Sequence, residues 1–80
     1  MPTIPVRRFR DIGAVVRAVR ESRGITQEEL AESLAFTRDY LRTLEQGKPT
    51  LHLSRLFRVL DNLGIRISIT YALEEKDAQK

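Results

Sequence analysis

Apolar residues recur along most of this chain at helical spacing, then near its end at the spacing of a strand. Ile12, Val15, Val16 and Val19 stand at i, i+3, i+4 and i+7. They form one stripe of a helix running from about Phe9 or Asp11 to Arg23, with Arg17, Arg20, Glu21 and Arg23 off the stripe and Gly24 as its stop. Thr26 is a good N-cap, and Glu29 three residues on completes a capping-box spacing for a second helix whose Leu30, Ala31 and Leu34 face inward. Thr37 caps a third helix with Leu41 and Leu44 on its apolar side; Gly47 ends it, and Lys48-Pro49 marks a loop. Thr50 caps a fourth, where Leu53, Leu56, Phe57, Leu60 and Leu63 make a dense stripe closed by Gly64. The period then changes. Ile65, Ile67, Ile69 and Tyr71 alternate with Arg66, Ser68 and Thr70, the pattern of a strand with one apolar face.

Residues 1–8 carry Pro2 and Pro5 and read as an extended arm, and the charged residues 74–80 as a flexible tail. The expected organisation is an arm (1–8), a helical domain (9–64), a strand (65–73) and the tail, a mainly all-α fold of four main helices plus one C-terminal strand. A lone strand leaves its backbone donors and acceptors without partners, and nothing else in the sequence looks like a strand. Pairing with the same strand of a second copy resolves this. Ile65, Ile67, Ile69 and Tyr71 would then form a dimerisation ribbon on a two-fold axis, making the protein a homodimer.

Composition narrows the chemistry. Eighty residues make one small domain with a marginal core, and with no cysteine no disulfide can brace it. The absence of cysteine fits a reducing cytoplasm. No apolar run approaches a membrane span, and Arg7, Arg8 and Arg10 are not followed by the apolar stretch of a signal peptide. The net charge is +3, and because residues 74–80 hold three acids and two bases, the remaining chain is +4. Arginine outnumbers lysine, favouring bidentate pairing with phosphate or guanine. There is no zinc-ligand spacing, Gly-rich phosphate loop or nucleophile elbow, so no metal, cofactor or enzyme activity is expected.

The stretch Thr26 to Lys48, two short amphipathic helices joined by a tight turn, reads as a helix-turn-helix whose second helix enters the DNA major groove. The alternative is an ordinary helical hairpin. Ala35 occupies a turn position often filled by glycine; if the turn needs positive φ, alanine is strained there or the turn is remodelled. Arg38, at the start of the recognition helix, is the best base reader, since arginine on guanine is the commonest specific contact; a phosphate contact or a surface charge is about as probable. Thr37 either touches DNA or only caps. Asp39 either accepts from cytosine or only favours the helix N-terminus. Arg42 and Thr43 lie one turn on, on or beside the same face, with solvent exposure, or for Arg42 a nearby acid, as the plainer reading. Gln27 sits at a helix N-terminus able to clamp a phosphate. Lys48, Thr50 and His52 border the next loop as backbone contacts, with a surface role the plainer reading for His52. Phe36 packs at the turn, and Tyr40 either packs there or meets DNA. Arg20 and Glu45 stand where the first and third helices should cross, a structural ion pair.

Arg20, Gly24, Ile25, Thr26-Gln27-x-Glu29-Leu30-Ala31, Leu34, Leu41 and Glu45-x-Gly47-Lys48 together resemble the Cro/lambda-repressor-type (XRE-like) helix-turn-helix domains over residues 11 to 64. The resemblance implies a lambda-repressor-like bundle, a phosphate contact at Gln27, base-facing positions at Thr37, Arg38, Asp39 and Thr43, and a structural Arg20–Glu45 salt bridge. The fourth helix followed at once by an alternating strand resembles the HipB-type antitoxins. That implies dimers with paired C-terminal strands, repression of their own operon at a palindromic operator, and a HipA-type serine/threonine kinase toxin as partner. A stand-alone phage or restriction-system controller, and a protein-binding inhibitor module with secondary DNA binding, are the alternatives.

Overall fold

The computed structural model describes residues 1–74. In chain order these form β1 (Thr3–Val6), α1 (Phe9–Ser22), α2 (Gln27–Leu34), α3 (Arg38–Glu45), α4 (Leu51–Asn62) and β2 (Ile67–Thr70). The fold is mainly helical, a helix-turn-helix bundle with a two-stranded antiparallel sheet formed from the chain's two ends.

The caps explain where the helices begin. Thr26 Oγ1 accepts from Glu29 N at 3.0 Å while Glu29 Oε1 accepts from Thr26 N at 2.9 Å, a complete capping box. Thr37 and Thr50 cap α3 and α4 through Tyr40 N and Leu53 N at 3.1 and 3.2 Å. Asp11 receives Arg7 N and Arg8 N at 2.8 and 3.0 Å, and these two bonds hold its carboxyl below the usual carboxylate range.

All four helices end alike, in a left-handed residue followed by a bond from the next N–H to a carbonyl five residues back. Gly24, Gly47 and Gly64 supply the left-handed residue for α1, α3 and α4. Ala35 supplies it for α2, at φ 60° and ψ 35°, with Phe36 N donating to Ala31 O at 2.8 Å. The turn is therefore not remodelled, and the alanine carries the strain.

α1 and α2 both pack on α3 around Val15, Ala31 and Leu41, which are buried. Gly13 is what lets α1 approach. A Cβ there would overlap the carbonyl oxygen of Leu44. Leu34 does not turn inward as expected but is about half exposed; Phe36, equally exposed, packs at the turn edge-on to Tyr40.

Two expectations for the chain ends are corrected. Residues 3–6 are not a free arm but a strand, and β2 is not alone. Thr3 pairs with Thr70, Ile4 with Ile69, Pro5 with Ser68 and Val6 with Ile67. Ile4 and Val6 alternate like a strand, and Pro5 is tolerated because a two-stranded ribbon has only edge positions. The strand is also shorter than 65–73. Ile65 N donates to Leu60 O at 2.9 Å, so Ile65 closes α4 behind Gly64. Tyr71 follows β2, its N–H donating to Pro2 O at 3.1 Å. Of the expected tail, only Glu74 lies within the described residues; its N–H donates to Ser22 Oγ at 3.1 Å.

Candidate nucleic-acid interface

The recognition surface is held from behind by one carboxylate. Glu45, at the end of α3, has a side chain only 2 % exposed. Arg20 from α1 grips it with Nε to Oε2 at 2.6 Å and Nη2 to Oε1 at 2.9 Å, while Arg20 Nη1 donates to Ile25 O at 2.6 Å. Gln27 from α2 donates Nε2 to Glu45 Oε1 at 3.0 Å. Three helices thus meet at one ion. Burial alone would raise the Glu45 carboxyl, but the hydrogen bonds from Arg20 and Gln27, with the charges of Arg20 and Arg17, outweigh it and hold the group below its ordinary value. The hydrogen bonds to Glu45 likewise raise the Arg20 guanidinium.

In front of this anchor α3 presents its first turns to solvent. Arg38, Asp39, Tyr40 and Arg42 are exposed and Thr43 half-buried. Asp39 and Arg42 pair with each other through Arg42 Nη2, which leaves the other guanidinium donors of Arg42 open to an outside acceptor. Arg38 has no ion-pair partner among the described residues, which leaves it free for an outside acceptor. Thr37 Oγ1 accepts from Tyr40 N within the cap. The Tyr40 ring stands edge-on to Phe36 with centroids 5.2 Å apart. An edge-on neighbour of this kind restricts the ring of Tyr40, whose side is open to solvent.

The expected phosphate contacts divide. Lys48, Thr50 and His52 are exposed on the loop after α3 and the first turn of α4. Gln27 opens α2 with one amide hydrogen committed to Glu45 and its carbonyl oxygen and second hydrogen remaining. Ile67 and Ile69 share a ribbon face with Val6 and Ile4, while Ile65 and Tyr71 flank β2. One candidate had no sequence signal. The backbone of Arg10 lies against Gly47, where a Cβ would overlap Arg10 Cα and Cβ, so the first turn of α1 sits on the loop that carries Lys48. Arg10 thus joins that basic rim.

Among the described residues no group of His, Cys, Asp or Glu has the arrangement to hold a metal ion, and no helix is long and apolar enough to cross a membrane. What the geometry builds is a helix-turn-helix with an outward, basic-led second helix.

The chain matches the helix-turn-helix domain family over residues 11–65 and belongs to it. It is 41 % identical over 59 residues to the uncharacterized HTH-type transcriptional regulator y4mF of Sinorhizobium fredii, covering 74 % of this chain and 78 % of that protein. It is 37 % identical over 57 residues to the immunity repressor protein of Bacillus phage phi105, covering 71 % of this chain but 40 % of the repressor. No solved structure matches.

Proposed function

We propose that this protein is a transcriptional repressor that binds a palindromic operator as a homodimer through α3. The observation that carries this reading is Arg38, an exposed arginine without an ion-pair partner among the described residues, at the N-terminal turn of a helix anchored from behind by the Arg20–Glu45–Gln27 network. Side chains at that point of a recognition helix reach base edges, and arginine on guanine O6 and N7 discriminates by about 1–3 kcal/mol. Arg10, Lys48, Thr50 and His52 then supply backbone contacts that set register and give a steep salt dependence. The relatives support the reading, one being named a transcriptional regulator and the other a repressor. β1 occupies one edge of β2, and the other edge is open to the matching strand of a second copy.

Within that function we favour an autoregulating antitoxin of the HipB type, with a serine/threonine kinase toxin as partner. Its support is the direct succession of α4 by β2. A second reading, a stand-alone controller, is favoured by the phage immunity repressor among the relatives. Footprinting of the chain's own promoter tests the shared part. Arg38→Ala should lose about 1–3 kcal/mol at one base pair per half-site; an equal loss on all sequences would make Arg38 a phosphate contact instead. Co-purification with the product of a neighbouring kinase-like reading frame separates the two finer readings.

A further inference from the structure

Leu41 and Glu45 are buried and mark the inner side of α3. At about 100° per residue, Asp39 then stands on the outermost ridge of the helix, and Arg42 leaves it to one side of that ridge. The two side chains are three residues apart and joined, Arg42 Nη2 donating to Asp39 Oδ1. The contact turns the Arg42 guanidinium back toward the N-terminal turn and in toward the ridge. Both side chains are more than half exposed, Arg42 at 54 % and Asp39 at 72 %, and an exposed pair at this spacing adds little to stability. An acid on the ridge that meets DNA also opposes binding, because it faces phosphates. Stability therefore gives little account of Asp39, and charge toward DNA counts against it.

We propose that Arg42 is a second guanine reader and that Asp39 is the positioning residue that aims it. This inference rests on the reading of α3 as the DNA-reading helix, and it adds to Arg38 a specificity determinant one turn further on. The contact with Asp39 uses Nη2, and the remaining guanidinium donors suffice for a fork on guanine O6 and N7. A free arginine must give up many rotamers to make that fork. A carboxylate that already holds the guanidinium in place removes part of this ordering cost from binding. Arg38 and Arg42 stand at i and i+4, where like charges repel, and the charge of Asp39 between them offsets that repulsion. They leave α3 from successive turns and so address different base pairs. Asp39 in this role does not accept from cytosine. It acts on specificity through Arg42.

Binding to an operator selected from a random-sequence duplex library tests this, with each half-site guanine replaced in turn by 7-deazaguanine, which lacks the N7 acceptor. Wild type, Arg38→Ala, Arg42→Lys and Asp39→Asn are compared on these duplexes and on a scrambled one. Wild type should weaken at least about 5-fold at two guanines of the half-site. Arg38→Ala should become insensitive at one of them and Arg42→Lys at the other, since lysine keeps the charge and loses the fork. Asp39→Asn should lose sensitivity at the Arg42 guanine alone, yet bind the scrambled duplex more tightly, because an acid has left a surface that meets phosphates. Asp39→Asn that tightens on every duplex and keeps both sensitivities overturns the positioning role. A loss at a base pair that Arg42→Lys still reads makes Asp39 a direct reader and overturns it too. Arg42→Lys with unchanged sensitivity at every guanine overturns Arg42 as a reader. A variant unfolded at the assay temperature would make the pair structural, and the proposal falls. An unresponsive Arg38→Ala overturns the role of Arg38 while this proposal stands. A wild type that selects no sequence overturns both.

Discussion

The two halves of this small protein are stabilised in opposite ways. In the first, α1, α2 and α3 close on a buried Glu45 shared by Arg20 and Gln27, with Val15, Ala31 and Leu41 buried around it. In the second, α4 has a denser line of large apolar residues yet buries none of them. The half with fewer leucines holds more of the buried side chains, because Gly13 lets α1 approach α3 and one polar network is fully satisfied. Apolar content therefore does not measure how complete a core is. The helix-turn-helix half holds α3 through contacts among its own three helices, while the α4 half leaves Leu56, Val59 and Leu63 exposed.

The sharpest way to break this contrast is to remove the shared ion. Glu45→Ala leaves the Arg20 guanidinium, with a side chain only 10 % exposed, without its bidentate partner and with only the half-exposed Glu21 at 3.9 Å as counter-charge. Breaking a buried pair from one side costs about 3–5 kcal/mol, comparable to the whole stability of a domain this size, so urea denaturation should find the variant largely unfolded. A loss under 1 kcal/mol would mean the three-helix half does not depend on this anchor. Glu45→Gln isolates the charge. The folded Glu45 carboxyl lies below its ordinary value of 4.5. Its stabilisation is therefore present above that value and lost as pH falls through the folded one. Thermal melts from neutral to acid pH should show wild type losing stability below about pH 4.5. Glu45→Gln should lack that part of the slope and keep the part due to Asp11, whose carboxyl is also lowered.

Next in size is Gly13→Ala. The added methyl meets the carbonyl oxygen of Leu44, which is backbone and cannot swing aside, so α1 must lift from α3. Overpacking of this kind costs about 1–3 kcal/mol, against a helix-propensity gain of about 1 kcal/mol for alanine over glycine. The net outcome expected in chemical denaturation is a loss. A net gain would show that the crossing has slack and that the two halves differ less than their burial suggests.

How much of this was legible in the sequence follows the same division. The helix-turn-helix was readable because its signals are local: Thr26 with Glu29, Thr37, and the glycines after α1 and α3 each fix a helix end within a few residues. A candidate Arg20–Glu45 pairing was also readable, from where the helices should cross. Gln27 reaching the same carboxylate was not, since nothing in spacing says which helix N-terminus faces inward. β1 was missed because two prolines in the first eight residues hide the alternation of Ile4 and Val6, although a ribbon of edge strands tolerates them. The two faces of α4 were merged into one stripe, because six large apolar residues in the eleven positions 53–63 leave periodicity unable to tell covered from uncovered. The half exposure of Leu34 was hidden for the same reason.

The smallest effect lies inside the helix-turn-helix half, at the one helix end closed without glycine. Ala35 sits at φ 60° where Gly24, Gly47 and Gly64 make the same turn for the other helices. A left-handed alanine costs about 1–2 kcal/mol, and replacing it by glycine gives back about 0.5–1 kcal/mol through the freer unfolded chain. Ala35→Gly should therefore stabilise the protein by roughly 0.5–1 kcal/mol, a rise of a few degrees in Tm for a chain of this length. The Ala31 O to Phe36 N bond spans the turn in either case, so operator affinity measured on the same DNA should not change. A stabilised variant with altered sequence preference would show instead that the strain at Ala35 sets the angle of α3. The DNA-reading half would then owe its geometry to a bent turn as well as to the Glu45 anchor.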